Sequence, residues 1–338
     1  MVMNDVWNQD AFGVVGLTAA INKLPYTPGQ VGRLGIFNED GVTTDKIAIE
    51  ELDGQLTLVA SSPRGGAGET VDKEERKAIP FMIPHYQRDD SVMADEVQGV
   101  REFGSEQGLQ TVQGVVDGRM MKHSYAFDAT LEHQRVGALK GRVFDKRGRL
   151  LVDLFTAFGK TAPTAFSFTF SDPTFDVREM CFDVITTIED ALDGNTYDGI
   201  HAVVGKSFYK SLISHQSVEK TYLNWIQAEE LRSSGTKGVF DFGDINWERY
   251  RTGKQATADV GSPFIADNEV RFVVKGVPDL FITRFAPADY EETVNTKGLP
   301  RYAKQYPMAN GKGRNLEMQM NALSLCTRPE TLQYGTAA

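Results

Sequence analysis

The chain has 338 residues, of which 41% are hydrophobic and 24% charged, so it is long enough for two globular domains. Its net charge of −10 argues against a protein that grips nucleic acid or an anionic membrane, because such surfaces concentrate lysine and arginine. Its cysteines, Cys181 and Cys326, are too few for a disulfide framework, and its acidic N-terminal stretch does not resemble a signal peptide. These properties predict a protein that stays in the cytosol where it is made.

Residues 1–40 are predicted to form an extended arm. Glycines and prolines interrupt every long periodic segment there, and only Thr18–Lys23 could hold a short helix. Two large apolar residues, Trp7 and Phe12, lie on this segment. By default they pack on the protein's own body, but they are also candidates to anchor the arm on another chain.

A two-stranded β-ribbon is predicted next. Ile47 and Ile49 share one face of the outgoing strand, and Ile79, Phe81 and Ile83 alternate along the return strand. An isolated two-stranded ribbon is only marginally stable in water, so it needs a surface to lie on. We therefore expect this apolar face, Phe81 included, to be buried against a neighbouring chain.

The edge and the tip of the ribbon are further candidate contacts between chains. Pro80 and Pro84 remove two backbone donors from one edge, which therefore cannot join a β-ladder fully. The tip, between Ala60 and Lys77, is longer than most loops without secondary structure, and loops of that length are usually either functional or disordered. Positive and negative charges balance within it. The candidate contact residues of the tip are Arg64, Glu69, Lys73, Glu75 and Arg76.

A long helical stretch is predicted after the ribbon. The polar residues 89–91 offer N-cap oxygens, and apolar residues recur at helical spacing as far as Leu139. Gly141 suits the position after the helix end, and a bend or break is expected near Gly104–Gly108. A β-hairpin that turns at Asp145–Gly148 follows.

The second half of the chain alternates strands and helices. Phenylalanines from Phe166 to Phe170 alternate as a strand, Asp172 is expected to cap the next helix, and Gly194 follows the end of that helix. A strand in the C-terminal stretch from Asn315 onward is expected to close the body. The other predicted elements are strands at Ile200–Val204, Val239–Phe242, Val270–Val274 and Leu280–Phe285, and helices around Phe208–Ser214 and Val218–Leu231.

Two short motifs are typical of nucleotide-binding loops, but neither has the required spacing. Gly159-Lys160-Thr161 lacks the earlier glycine, because that position is Leu154. Gly205-Lys206-Ser207 has its earlier glycine, Gly199, one residue too far back, and a predicted strand lies where a phosphate loop must expose backbone amides. The favoured interpretation is a strand-to-helix turn.

No catalytic, cofactor or metal site is predicted. The five histidines show no paired-ligand spacing, and neither cysteine has a recognisable catalytic context. The sequence therefore predicts a protein that is not an enzyme and that needs no cofactor.

Several stretches, taken in order, resemble one known family. They are "LTAAINKLP", "GRLGIFNEDGVTTDKIAIEELDGQLTLV", "PRGGAGE", "FMIPHYQRDDSVMADEVQGVREFG" and "LEMQMNALSLCTRPETL". Together they span nearly the whole chain, and they are similar to the major capsid (head) proteins of lambda-type tailed phages, the capsid protein E family.

The resemblance implies an α+β protein with the tailed-phage capsid fold of the Hong Kong ninety-seven type. In that fold an extended loop lies across the adjacent subunit, so the ribbon's missing core would be supplied by a neighbour. The implied parts are an N-terminal arm (1–40), an extended β-ribbon loop (41–85), a peripheral domain with a spine helix between Ser105 and Leu139 (86–159 and 281–338) and an axial domain (160–280).

The resemblance also implies a function and partners. Many copies would assemble as hexamers and pentamers into an icosahedral head shell around double-stranded DNA, without sequence-specific binding and without a membrane. Candidate partners are a decoration protein, the portal, and a scaffold or protease during assembly. The protein would belong to the virion and be assembled in the host cytoplasm.

Three other interpretations stay open from the sequence alone. A bacterial encapsulating compartment would share the fold, but the N-terminal motifs disfavour it. A cytosolic α/β nucleotide-binding enzyme is supported only by "VVGKS". A soluble binding module could use the edge of the ribbon to capture partners.

Overall fold

The structure is a computed structural model of the chain. It describes residues 14–24, 29–51, 77–97, 112–219, 221, 239–254, 257 and 260–338. The chain divides into two compact units. Unit 1 comprises residues 1–47, 82–135 and 282–324, and unit 2 comprises residues 48–81, 136–281 and 325–338.

The described residues form helices and strands in roughly equal measure along the chain. The α-helices are α1 (Val14–Lys23), α2 (Gln30–Arg33), α3 (Ala94–Val97), α4 (Val112–Lys140), α5 (Leu154–Phe158), α6 (Val177–Leu192) and α7 (Lys206–Ser214). The strands are β1 (Phe37–Gly41), β2 (Lys46–Glu51), β3 (Lys77–Met82), β4 (His85–Met93), β5 (Arg142–Phe144), β6 (Leu150–Asp153), β7 (Phe166–Phe168), β8 (Gly199–Val204), β9 (Val239–Phe242), β10 (Ile245–Arg249), β11 (Glu269–Lys275), β12 (Phe281–Phe285), β13 (Tyr302–Pro307), β14 (Gly313–Cys326) and β15 (Tyr334–Ala337). Short 3₁₀ helices lie at Glu291–Thr293 and Pro329–Thr331.

The sheet of unit 1 is built around the long strand β14. Its strand order is β1-β12-β14-β13, and β4 also pairs with β14. The predicted C-terminal strand is thereby confirmed. Apolar side chains of the sheet pack with those of α1 and α4 into one core, whose buried members include Leu17, Phe127, Phe285, Leu316 and Met320.

Strand β4 corrects the sequence prediction that residues 89–91 begin a helix. These residues pair antiparallel with β14, in a register that runs from Gly313 opposite Met93 to Asn321 opposite His85. The carboxylate of Asp90 accepts a hydrogen bond from the backbone N–H of Ser91 at 2.8 Å, inside the strand. A nine-residue ladder with a distant strand outweighs a local capping preference, which is worth only about 1 kcal/mol.

The long helix α4 is confirmed, and it ends where the sequence predicts. Gly141 adopts the left-handed conformation, with φ of +73°, and its N–H donates to the carbonyl of Ala138 at 3.2 Å. A Cβ atom at Gly141 would lie 2.3 Å from the ring of Phe155, so close packing also requires glycine there. The expected bend near Gly104–Gly108 lies outside the described residues.

Unit 2 is organised by a mixed sheet in the order β7-β15-β11-β8-β10-β9. Strand β8 pairs parallel with β10 and antiparallel with β11. The predicted strands at 200–204, 239–242 and 270–274 are confirmed to within a residue at each end. An aromatic cluster fills one face of this sheet, with the ring of Phe168 5.0 Å from Phe208 and 6.3 Å from Trp247. Most of the predicted helix at 218–231 lies outside the described residues.

Helix α6 begins later than the sequence predicts. Asp176 caps it, because its carboxylate accepts the backbone N–H groups of Arg178 at 2.8 Å and Glu179 at 3.3 Å. Asp172, the predicted cap, instead accepts from the backbone N–H and the hydroxyl of Thr174 at 2.9 and 2.7 Å. Asp172 therefore closes a turn before the helix, a role that the same residue type performs equally well.

The hairpin of β5 and β6 forms as predicted. The carboxylate of Asp145 accepts the backbone N–H groups of Arg147 at 2.7 Å and Arg149 at 2.9 Å. Gly148 takes up the left-handed conformation, with φ of +77°, that the turn needs.

Candidate functional site

Part of the predicted arm belongs to the core of unit 1. Helix α1 starts at Val14, four residues before the predicted helix, and both Leu17 and Ile21 are fully buried. The side-chain amide of Asn22 donates to the backbone carbonyl of Arg301 at 2.8 Å. The sequence missed this because the segment's glycines and prolines hide a single amphipathic helical stripe. Residues 14–24 thus pack against their own chain and do not extend freely.

A buried carboxylate holds the next part of the arm. Glu132 on α4 is 6% exposed, and its two oxygens accept the backbone N–H groups of Val31 at 2.9 Å and Gly32 at 3.0 Å. These amides belong to the first turn of α2, where free N–H groups and the helix dipole favour a negative charge. A Cβ atom on Gly29 would lie 2.0 Å from the carboxyl carbon of Glu132, so this approach requires glycine. We call the Glu132 carboxylate, together with the two backbone N–H groups that donate to it, the α2 clamp.

An arginine of the same helix holds the residues after the α2 clamp. Arg135 is 1% exposed, forms an ion pair with Glu39, and places its guanidinium 5.2 Å from the ring centre of Phe37. Strand β1, which carries both partners, also pairs with β12. The apolar pattern of α4 selects only apolar residues, so it singles out neither Glu132 nor Arg135. Only their burial identifies them as anchors.

The base of the predicted ribbon is present as a separate two-stranded sheet of β2 and β3. Its apolar alternation is confirmed, since Ile47, Ile49, Ile79 and Phe81 are all at most 9% exposed. The opposite face of β3 is open, with Pro80 exposed and Met82 66% exposed.

Phe81 has an apolar partner within its own chain. It is 5% exposed within its own chain, and its ring lies 5.9 Å from that of Phe158, centre to centre. Phe158 thus supplies an apolar partner for Phe81 within the chain, and a contact of Phe81 with a neighbouring chain stays a prediction. On the described part of β3, the exposed side chains are Ala78, Pro80 and Met82.

The other predicted contact residues cannot be placed. Trp7 and Phe12 of the arm and the tip residues Arg64, Glu69, Lys73, Glu75 and Arg76 lie outside the described residues. Their roles between subunits stay predictions.

A network of charges links β4, α3 and α4 in unit 1. Asp90 accepts a hydrogen bond from Nε2 of His123 at 2.9 Å and forms an ion pair with Arg119, which also pairs with Glu96. Burial acts to raise the pKa of Asp90, but the hydrogen bonds from His123 and Ser91 and the charge of Arg119 outweigh it and lower that pKa below its usual value. The network fixes α4 against the sheet, and no described feature gives it a catalytic role.

The turn at Gly205-Lys206-Ser207 has the geometry that the sequence predicts. Strand β8 begins at Gly199 and runs to Val204, so it fills the interval before Gly205. The N–H of Phe208, in the first turn of α7, donates to the carbonyl of Asp267 at 2.8 Å, and a Cβ atom on Gly205 would lie 1.9 Å from the carbonyl oxygen of Ala266. Backbone from residues 266–267 thus covers the place where a phosphate would have to sit.

The two cysteines and the buried His201–Glu248 pair are, by residue type, candidate reactive groups. Burial raises the pKa of both the Cys181 and the Cys326 thiols to about 12, which disfavours the thiolate that a nucleophile needs. His201 and Glu248 pair at 3.1 Å in the sheet of unit 2, and both are buried. Across the described ranges, no group of three or more His, Cys, Asp or Glu residues is arranged to hold a metal ion. None of the helices in those ranges is long and apolar enough to cross a membrane.

The fold is that of a tailed-phage capsid subunit of the Hong Kong ninety-seven type. The chain is similar to the crystal structure of the putative capsid protein of a prophage of E. coli CFT073, with a TM-score of 0.58 at 14% identity. That similarity covers 96% of this chain and 98% of the other. The predicted fold class is thereby confirmed.

Sequence comparison identifies the family. The family described as phage major capsid protein E matches residues 13–337, and the chain belongs to it. The chain is 28% identical to the major capsid protein of Pseudomonas phage KPP10, over 98% of each chain. It is also 28% identical to the major capsid protein of Salmonella phage Felix O1 (isolate Felix O1-VT1), over 95% of each chain. The protein is a shell-forming capsid protein of a phage virion, built into the shell in many copies, and neither the encapsulating compartment nor the nucleotide-binding enzyme is favoured.

Proposed function

We propose that the chain forms, as hexamers and pentamers, the icosahedral head shell that encloses phage double-stranded DNA. The observation that carries this proposal is the match to one capsid family from residue 13 to residue 337. The net charge of −10 is consistent with it, because a shell that clamped phosphates would impede the packaging and release of DNA.

We further propose the division of labour that the family resemblance implies. Residues 1–40 would serve as the arm, 41–85 as the extended loop, 86–159 with 281–338 as the peripheral domain, and 160–280 as the axial domain. Two features support a loop that reaches a neighbour. The ribbon base is separate from both larger sheets, and one face of β3 is open at Met82, which is 66% exposed.

The loop would contact the neighbour through that open face, with Pro80 and Met82, and through its tip. The tip would act as an electrostatic clasp, because its balanced charges can meet a mixed-charge surface without net repulsion. Each exposed ion pair contributes only about 0–1 kcal/mol, but symmetry repeats the contact at every subunit.

The remaining parts of the proposal concern chemistry and partners. The chain would catalyse no reaction and bind no cofactor, consistent with the buried thiols and the covered turn at Gly205. It would be assembled in the host cytoplasm, and the portal, a decoration protein, and a scaffold or protease would meet it there.

Electron microscopy of the purified protein tests the shell directly. Negative staining is expected to show closed shells or capsomer rings, whereas dispersed monomers with saturable nucleotide affinity would contradict the proposal. Deleting residues 65–75 tests the clasp: the monomer should keep its circular dichroism spectrum, but shells should fail to form or should dissociate at lower salt. Wild-type shell yield and salt tolerance in the deletion would show that the tip is only a solvated loop.

A further inference from the structure

Helix α6 presents an exposed aromatic side chain among acidic residues. Phe182 is 68% exposed on the outer face of the helix. Glu179 and Asp183 flank it and are exposed, and the hydroxyl of Thr186 donates to the carbonyl of Phe182 at 2.9 Å. We call Phe182, Glu179 and Asp183 the α6 patch.

The fold of unit 2 does not account for the α6 patch. The helix packs on its own unit through a different stripe, whose members are almost completely buried: Val177, Cys181, Val184, Ile188 and Leu192. The cation of the helix, Arg178, lies 5.6 Å from the ring centre of Phe242. A partner that covered Phe182 would remove its apolar surface from water, which favours association.

The hairpin of β5 and β6 presents a second apolar patch with the opposite charge. Phe144 and Leu150 lie opposite each other in the register and are 36% and 47% exposed, while Val143 and Val152 turn inward. The exposed cations of the adjoining turn are Lys146, Arg147 and Arg149. We call Phe144, Leu150 and these three cations the hairpin patch.

The carboxylates near the hairpin patch are already engaged. Asp145 accepts the backbone N–H groups of Arg147 and Arg149 in the turn. Asp153 pairs with Arg142 at 2.9 Å and accepts the N–H of Thr156 at the start of α5. The outward surface of the hairpin therefore combines two apolar side chains with a cationic rim.

We propose that the α6 patch of one copy docks on the hairpin patch of a second copy of this chain. The inference rests on the proposed function, since it names one of the contacts by which copies assemble. Phe182 would enter between Phe144 and Leu150, and Glu179 and Asp183 would face the arginines of the turn. A second copy is the occupant because one sequence carries both complementary halves. Two different patches in contact make a heterologous interface, which repeats into rings and therefore suits a shell.

A photo-crosslinker placed at Phe182 tests the contact by position. Replacing Phe182 with p-benzoylphenylalanine keeps an aromatic group there, and irradiated shells should yield a covalent dimer whose linked peptide lies within residues 142–150. The matched control carries the same group at Val294, which is 64% exposed, and should not label that peptide. Crosslinks from position 182 to another part of the chain, or to a different protein, would overturn the proposal.

Charge exchange tests the contact by energy. The double substitution Arg147→Glu with Arg149→Glu brings like charges together, and we expect it to lower shell yield about tenfold. Glu179→Lys with Asp183→Lys should lower the yield similarly, and all four substitutions in one chain should restore it. Circular dichroism checks that each variant folds. If a variant does not fold, the crosslink from position 182 tests the contact in its place.

Different results overturn the proposed shell function and the contact between the α6 patch and the hairpin patch. If the wild type forms no shells or rings, the proposed function is overturned and this contact with it. If the wild type assembles, while both double variants assemble normally or the combined variant gives no recovery, only the contact is overturned.

Discussion

Replacing Glu132 with alanine should release the part of the arm that the α2 clamp holds. The carboxylate, which is 6% exposed, accepts two backbone N–H groups at 2.9 and 3.0 Å. A hydrogen bond to a charged group contributes about 1.5–3 kcal/mol when its partner is desolvated. Because α2 is only partly buried, water would recover some of this, and we expect a net loss of about 2 kcal/mol in the free energy of local opening.

Hydrogen exchange measured by mass spectrometry reads this loss directly. A change of about 2 kcal/mol corresponds to roughly thirtyfold faster exchange of the peptide that contains Val31 and Gly32. Glu132→Gln, which keeps one acceptor oxygen but no charge, should give an intermediate effect. Asp190→Ala, at an exposed position of α6, is the control and should leave this peptide unchanged.

Two results would refute the reasoning about the α2 clamp. Exchange within a factor of about two of the wild type in Glu132→Ala would show that water replaces the carboxylate without cost. Wild-type exchange in Glu132→Gln would show that the charge of the carboxylate plays no part.

Asp90, Gly205 and Lys206 offer further tests of the structure. The folded-state pKa of Asp90 is lowered, so its ion pairs stabilise the protein above the unfolded pKa of about 3.9 and are lost as the pH falls through the folded-state pKa. Asp90→Asn should therefore weaken the pH dependence of the urea unfolding midpoint below about pH 4, and an unchanged dependence would contradict this. Gly205→Ala should lower the melting temperature markedly, since its Cβ would lie 1.9 Å from the Ala266 carbonyl oxygen, whereas Gly253→Ala, which meets nothing within 4 Å, should not; equal melting temperatures would count against the close approach. Lys206→Ala should leave calorimetric titrations with ATP or GTP flat, as in the wild type, and saturable wild-type binding that the substitution abolishes would overturn the geometric argument.

The sequence predicted best where structure depends on short-range chemistry. The end of α4 at Gly141 and the hairpin turn at Asp145–Gly148 depend on backbone conformations that few residues adopt. The alternation of Ile79 and Phe81 correctly indicated a strand with one buried face. The capsid fold and the family came from an ordered set of stretches across the whole chain, which the comparisons confirmed.

Tertiary structure decided what the sequence left open or misassigned. Residues 89–91 have the composition of a helix start, yet pairing with β14 makes them a strand, because the partner lies more than two hundred residues away and no local pattern records it. The sequence shows only that Phe81 lies on the apolar face of a strand, and the folded chain shows that Phe158 packs against it. Glu132 and Arg135 are charged residues that the apolar pattern of α4 does not select, and only their burial shows that they anchor residues 31–39. Long-range proximity sets these outcomes, because the energy of a buried charge or ring depends on which distant groups surround it.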